Sequence, residues 1–355
     1  ALPILRSENR DIMEMVGAAR VDVPPLDTGL RWVLALGKDA RFRRELEGEL
    51  SFAGQSLKLD WLGDHVRVGL ADRAELTYVA HGFVADKLEP PRSHENERSD
   101  MFDRIGQLPI YAVVEVKSQV GAVVALGMLR KLASDVAREL EWRDGGKYRD
   151  VPITDIAILP GLVKFGGHIY YALCPKGLIF SLNRSVLEGL IDEELDGKAP
   201  RAARDPRRAS GQLVVELGAK KDGALLRTLA WFILADVAYN SESRNESEAI
   251  LLGAPEARAS DDAFRAHARA IFGAVPLTPD GNVYRYSKEG ILDPVRGTSY
   301  APIFPKTPVP NSPLDKVLSR FARLRSGISF DPEPGSGPRD AETSSFSTKF
   351  SLELR

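Results

Sequence analysis

Residues 110–118 form a nearly unbroken apolar run that carries Glu115 and Lys117 near its end. The run is rich in Val, Ile and Tyr without helical spacing, and Pro109 precedes it, which predicts a buried strand rather than a helix. Apolar residues on both faces predict a central strand that is covered by helices. Because side chains alternate along a strand, we expect Glu115 and Lys117 to lie on the same face.

The hydrophobic pattern on either side of this run predicts alternating helices and strands. Apolar residues recur at helical spacing from Leu30 to Leu50 and again from Gln119 to Trp142, so we expect the second helix to pack on the sheet. The predicted strands are Val66–Leu70, Leu76–Ala85, Ile153–Leu159, and a hairpin of His168–Leu173 with Leu178–Leu182. We therefore predict an α/β (α+β) fold with a central mixed sheet that is flanked by helices.

The second half of the chain has a different composition. Residues 196–211 are basic without a periodic apolar face, which predicts a loop, whereas Leu213–Leu217 reads as a strand. Helices are predicted at Leu225–Tyr239, at Asp261–Phe272 with Ser260 as N-cap and Gly273 as the stop, and at Leu314–Leu324. We expect a first domain at 1–195, a smaller α+β substrate- or partner-binding domain at 196–330, and a flexible tail at 331–355 that is rich in Pro, Gly and Ser.

Composition narrows the class of protein. Of 355 residues, 43% are hydrophobic and 28% charged, and the net charge of −2 gives no global attraction to nucleic acid, so any polyanion contact must come from local basic clusters. Cys174 is the single cysteine, which excludes an internal disulfide and a cysteine-based zinc site. The longest apolar runs are far shorter than the roughly 20 residues that span a bilayer. We therefore expect a cytoplasmic protein with no membrane partner.

An aspartate followed by Glu-x-Lys on a strand is a pattern suited to binding a hard metal ion. Asp100 lies fifteen residues before Glu115, and Lys117 follows on the same strand. Carboxylate oxygens suit Mg²⁺, which also keeps water ligands for a phosphate substrate. Asp100 and Glu115 would hold the ion with a backbone carbonyl near Val116, and Lys117 would orient or deprotonate the attacking water.

Ser99-Asp100 followed by Glu115-Val116-Lys117 resembles the signature of the PD-(D/E)xK nuclease superfamily, and the order of elements is similar over residues 40–160. The resemblance implies a restriction-endonuclease-like core, Mg²⁺ or Mn²⁺ as cofactor, and Asp100, Glu115 and Lys117 as catalytic residues. A helical acidic residue joins the site in many members. Here Glu45, Glu47 and Glu49 are the candidates, and Glu49 is nearest the helix end.

The same resemblance implies a polar residue just beyond the lysine, which is Gln119 here. The chain departs from the family pattern at Ser99, where the family has proline. Asp86 and Asp103 compete for the aspartate position. We prefer Asp100 because Asp103 falls within a predicted turn, where aspartate is common for local reasons.

The function that these residues and the resemblance imply is metal-dependent hydrolysis of DNA, in restriction, repair or anti-phage defence. The competing hypothesis is an inactive nuclease fold that binds nucleic acid or scaffolds a larger complex. A protein partner or a homodimer is a further expectation, since cleavage of both strands commonly needs two such sites. The candidate phosphate contacts are Lys198, Arg201, Arg204, Arg207 and Arg208 in the basic loop, and Arg320 and Arg323 on the last predicted helix.

Overall fold

The computed structural model describes residues 19–23, 26–38, 40–49, 58–77, 79, 106–136, 140–158, 167–196, 209–220, 223–233, 260–275, 277–278, 281–287, 290–298, 301–302, 310–332 and 344–355. The chain divides into two compact units. Unit 1 comprises residues 1–219 and 323–353, and unit 2 comprises residues 220–322 with Leu354 and Arg355. This division differs from the predicted one at residue 195, since strands on both sides of residues 220–322 belong to unit 1.

The secondary structure is as follows. The strands are β1 (Val21–Val23), β2 (Gly29–Ala35), β3 (Leu62–Leu70), β4 (Ile110–Val116), β5 (Leu140–Tyr148), β6 (Val151–Ile158), β7 (Gly167–Leu173), β8 (Gly177–Ser181), β9 (Ala209–Gly211), β10 (Leu213–Gly218), β11 (Arg285–Ser287), β12 (Gly290–Leu292), β13 (Gly297–Thr298), β14 (Ala301–Pro302), β15 (Phe321–Pro332) and β16 (Ser344–Leu354). The helices with defined bounds are α1 (Arg41–Glu49), α2 (Gln119–Val136), α3 (Arg184–Leu195), α4 (Asp261–Phe272) and α5 (Pro313–Arg320).

A ten-stranded sheet dominates the fold, in the order β16-β15-β10-β2-β3-β4-β8-β7-β6-β5. The ladders from β15 to β5 are all antiparallel. The predicted mixed sheet is thus wrong, whereas the α+β class and the central position of β4 are confirmed. The strand that follows α2 in the chain is β5, at the far edge of the sheet, and the strand that pairs with β4 on that side is β8.

Helices cover both faces of β4, as its two-sided apolar character predicts. On one face, Tyr111 and Val113 pack in a core with Leu187 and Ile191 of α3. On the other face, Val116 packs in a second core with Ala122 and Ala125 of α2. The apolar body of β4 is therefore held between two helices, and its C-terminal end carries the charged residues.

A row of polar residues crosses the sheet beside this core. Arg31 on β2 and Arg325 on β15 lie directly opposite Glu216 on β10. Both guanidinium groups contact the Glu216 carboxylate, Arg325 Nε at 2.6 Å and Arg31 Nε at 2.9 Å, and all three side chains are buried. The charges of this triad are paired within the protein interior, which a buried charge requires.

Helix α4, which belongs to unit 2, begins and ends at the predicted residues. The Ser260 hydroxyl accepts a hydrogen bond from the Ala263 amide, Asp261 and Asp262 occupy the first turn, and Gly273 ends α4 in the left-handed conformation at φ 72°. These features match the predicted caps and dipole pairing. Residues 224–233 are also helical, in the described part of the predicted segment Leu225–Tyr239.

Several predicted elements differ from the structure. Residues 29–35 form a strand rather than the start of a helix, because buried and more exposed residues alternate with a period of two. Residues 74–77, at the start of the predicted strand Leu76–Ala85, are helical. Helix α2 ends at Val136, and Leu140 to Trp142 belong to β5. Helix α5 ends at Arg320, and part of the predicted flexible tail forms β16.

Candidate functional site

An irregularity in the pairing of β3 with β4 creates the candidate site. Leu62 pairs with Val116 and Val66 pairs with Val114, so the three residues between Leu62 and Val66 face Glu115 alone. Those three residues are Gly63, Asp64 and His65. Bulges of this kind redirect side chains and are common beside active sites. Here the bulge brings two polar side chains of β3 to the charged end of β4.

Glu115 is held by two groups of the bulge. Its Oε2 accepts a hydrogen bond from the Asp64 amide at 2.6 Å and lies 3.1 Å from Nδ1 of His65. The hydrogen bond from His65, with the Asp64 amide and the charge of Lys117, lowers the pKa of Glu115 to about 2 against the opposing effect of partial burial. Glu115 is therefore a carboxylate at neutral pH.

Lys117 contacts the other acidic residue of the bulge. Its Nζ donates to Oδ1 of Asp64 at 2.5 Å, and the two side chains are 38% and 56% exposed. Two carboxylates and one ammonium therefore meet at the solvent-accessible C-terminal end of β4. This arrangement combines negative charge that suits a divalent cation with a positive charge that suits phosphate.

Residues around the bulge fix its backbone. The buried Arg43 of α1 donates from Nη2 to the carbonyl oxygens of Leu62, at 3.0 Å, and Gly63. The Lys117 amide donates to the Trp61 carbonyl at 2.8 Å. A Cβ atom at Gly63 would overlap with Cβ, Cγ and Oε2 of Glu115, so only glycine allows this approach of the carboxylate.

The donor set at the bulge suits a hard cation with few protein ligands. Oδ2 of Asp64 and Oε1 of Glu115 make no hydrogen bond within the described part of the chain. Among the described residues, no group of three or more His, Cys, Asp or Glu side chains is placed to hold a metal ion. Mg²⁺ is often bound by one or two carboxylates and keeps several waters, so Asp64 and Glu115 fit such an ion.

The structure brings together some of the predicted site residues. Glu115 and Lys117 meet as expected, although the aspartate that joins them is Asp64. Asp100 and the competing Asp86 and Asp103 lie outside the described residues, so the predicted role of Asp100 stays a prediction.

The predicted auxiliary residues are placed in different ways. Val116 is buried and its amide donates to the Lys176 carbonyl, while Gln119 is exposed at the first position of α2. Among the acidic residues of α1, Glu47 accepts a hydrogen bond from the Leu59 amide at 2.9 Å, and Glu45 pairs with Arg41. Glu49 ends α1, and its side chain lies outside the described part of the structure.

The predicted nucleic-acid contacts are only partly described. Lys198, Arg201, Arg204, Arg207 and Arg208 lie outside the described residues. Arg320 is exposed at the end of α5. Arg323 lies on β15 rather than on the helix, donates to the Leu26 carbonyl at 2.8 Å and pairs with Glu353 at 2.9 Å. Its predicted helical position is therefore wrong, and its charge is used within unit 1.

Sequence reasoning missed Gly63, Asp64, His65 and Arg43. The predicted strand began at Val66, where the apolar alternation becomes regular, so the preceding Gly-Asp-His triplet was excluded from it. The sequence signal for these residues is a glycine followed by two polar residues at the start of a strand, which is typical of a bulge.

Comparisons with known proteins gave no match to a family model, a curated protein or a solved structure. Within the described ranges, no helix combines the length and the apolar composition that crossing a membrane requires.

Proposed function

We propose that this protein is a metal-dependent nuclease that hydrolyses phosphodiester bonds of DNA. The observation that carries the proposal is the meeting of Asp64, Glu115 and Lys117 at the bulge between β3 and β4. It reproduces the residue types of the PD-(D/E)xK signature with Asp64 in the aspartate position. A restriction-endonuclease-like core is proposed on the same ground, with α1, β2 to β4 and α2 as its central elements.

The residues of the site divide the chemistry between them. Asp64 and Glu115 would hold Mg²⁺ or Mn²⁺, and the bound ion would polarise the phosphate. Lys117, beside Asp64, orients the attacking water and stabilises negative charge that develops on the phosphate oxygens. His65 and the Asp64 amide orient Glu115 through Oε2, so Oε1 would be the oxygen available to hold the ion.

Asp100 keeps a place in this proposal as a further carboxylate ligand from the segment before β4. The resemblance assigns the catalytic aspartate to Asp100, whereas the contacts of the described residues favour Asp64. From the resemblance and the single cysteine, we propose that the protein acts in the cytoplasm, in restriction, repair or anti-phage defence. DNA contact by the basic loop around Arg204 is proposed from its charge.

A cleavage assay tests the proposal. We expect the protein to cleave one or more of supercoiled, linear and single-stranded DNA with Mg²⁺ or Mn²⁺, and to lose cleavage when EDTA is added. Lys117→Met should reduce the rate by about 100-fold or more, in the range for loss of one transition-state contact. Lys147→Met, which removes an exposed lysine on β5, is the matched control and should leave the rate unchanged.

The second candidate function is nucleic-acid binding without cleavage. It is favoured by the internal pairing of the site, in which Lys117 contacts Asp64 and His65 contacts Glu115. Such a protein would bind DNA equally well with and without EDTA. It would form no cleavage product, so Lys117→Met would have no cleavage to reduce. Binding without cleavage of DNA or RNA under any metal condition would exclude the nuclease proposal.

A further inference from the structure

Strand β16 forms one edge of the ten-stranded sheet and is eleven residues long. Within the described part of the chain, its only strand neighbour is β15. An edge strand presents unpaired backbone N–H and C=O groups that can pair with another strand. The segment Lys349–Glu353 contains neither proline nor glycine, and we call it the edge segment.

The edge segment has two different faces. Phe350 and Leu352 alternate with Lys349, Ser351 and Glu353, so apolar side chains lie on one face and polar side chains on the other. Phe350 is 74% exposed and Leu352 is 59% exposed. An apolar pair this exposed on an edge strand is a feature of surfaces that contact another molecule.

The charges of the edge segment are complementary to those of a second, antiparallel copy of the same segment. Lys349 makes no ion pair within the described residues, and Glu353 uses Oε2 for Arg323 while Oε1 has no described partner. The two charges lie two residues on either side of Ser351. In an antiparallel pair of identical strands centred on Ser351, Lys349 of each copy faces Glu353 of the other.

Other registers lose this complementarity. A shift of the pairing by two residues places Lys349 opposite Arg355 in one direction and opposite Ser351 in the other. A shift by one residue brings the apolar face of one strand beside the polar face of its neighbour. The centred register instead places Phe350 opposite Leu352 of the second copy, and aromatic–aliphatic cross-strand pairs stabilise antiparallel sheets.

We propose that β16 binds a second copy of this chain, extending the sheet across a two-fold axis at Ser351, with Lys349 facing Glu353 of the second copy and Phe350 facing Leu352. The contact is isologous, since the same segment is used by both copies. It does not depend on the nuclease proposal, because every residue of the edge segment lies apart from the bulge in the sheet order.

Disulfide trapping tests the register. In Ser351→Cys, the two introduced cysteines face each other at a Cα separation of about 4.5–5.5 Å, which a disulfide spans. In the matched control Ser347→Cys, they are about 26 Å apart along the strands. The only native thiol, Cys174, is fully buried and contributes no background. We expect Ser351→Cys to form a covalent dimer under mild oxidation and Ser347→Cys to form no covalent dimer.

Sedimentation of the full chain over a range of concentrations tests the charge pairing. Lys349→Glu places like charges opposite each other at two symmetric positions, so the dimer dissociation constant should rise about tenfold. Lys349→Glu with Glu353→Lys restores opposite charges and should recover much of the affinity. A monomer at all concentrations would overturn the proposal. So would a dimer in which Ser351→Cys and Ser347→Cys cross-link equally or Ser351→Cys does not cross-link.

Discussion

Replacing Glu216 with glutamine should strongly destabilise unit 1. Glu216 is fully buried and contacts the guanidinium groups of Arg31 and Arg325, which are themselves buried. The substitution keeps the shape of the side chain but removes the negative charge. The two buried guanidinium groups then lose the carboxylate that lies between them, which is costly in a protein interior.

The size of the effect follows from the charges. At an effective dielectric constant of about 20, a pair of unit charges about 4 Å apart attract by about 4 kcal/mol, so two such pairs contribute about 8 kcal/mol. Several kcal/mol of this are offset by the desolvation of the Glu216 carboxylate, which glutamine avoids. We therefore expect Glu216→Gln to lower the free energy of unfolding by about 3–5 kcal/mol, the range for breaking a buried ion pair.

Labelling of Cys174 in urea measures this effect for unit 1 alone. Cys174 is fully buried in unit 1, so it reacts with a thiol reagent only when its surroundings unfold. With a slope of about 3 kcal/mol per molar urea, a loss of 3–5 kcal/mol lowers the midpoint by about 1–1.7 M.

The matched control is Glu188→Gln in the exposed Arg184–Glu188 pair of α3, which should change the free energy of unfolding by about 0.5 kcal/mol or less. Replacing all three members of the triad with apolar residues of similar volume should restore stability close to that of the natural sequence. Equal midpoints for Glu216→Gln and Glu188→Gln would refute the reasoning about the buried triad.

Three further predictions concern the site and the single thiol. Gly63→Ala should abolish cleavage while Cys174 stays protected, because the added Cβ displaces the Glu115 carboxylate; retained cleavage would contradict the bulge geometry. Glu115 has its pKa lowered to about 2, so its contribution to stability is present above its ordinary pKa and is lost as the pH falls from about 4.5 to 2. The difference in stability between the natural protein and Glu115→Gln should shrink over that range, and a constant difference would argue against the His65 and Asp64 contacts. Burial raises the pKa of Cys174 to about 11, so a thiol reagent at pH 8 should not label the folded protein, and rapid labelling would contradict its burial.

Elements with a strong local signal were predictable from the sequence. Strand β4 carries a long β-branched apolar run, and both its central place and its cover by two helices follow from that pattern. Helix α4 begins at Ser260 and ends at Gly273 because the caps act locally and do not depend on the rest of the fold.

Elements whose apolar residues fit two periodicities were not predictable. Trp32 and Val33 fit a helical spacing with later residues, but pairing of β2 with β3 and β10 makes them part of a strand. Strand β4 pairs antiparallel with β8, and no local pattern in the sequence identifies that neighbour. Tertiary pairing thus decided these segments over local preference.

Two of the three central residues of the candidate site could be predicted from the sequence. Glu115 and Lys117 were identified because two charges end an apolar strand. Asp64 was not, because its approach to Glu115 across 51 residues of chain depends on a three-residue irregularity in the strand pairing. A bulge interrupts the alternation of apolar and polar residues along a strand. A prediction based on that alternation therefore places the start of the strand after the bulge.

The most direct test of the central claim compares Asp64→Asn with Asp100→Asn in metal-dependent DNA cleavage. Asparagine keeps the size of each side chain and removes the negative charge that binds the ion. The bulge geometry predicts that Asp64→Asn lowers the cleavage rate by about 100-fold or more at saturating DNA, with Cys174 still protected from labelling. Full activity of Asp64→Asn with Mg²⁺ would contradict the assignment of the site to Asp64, Glu115 and Lys117.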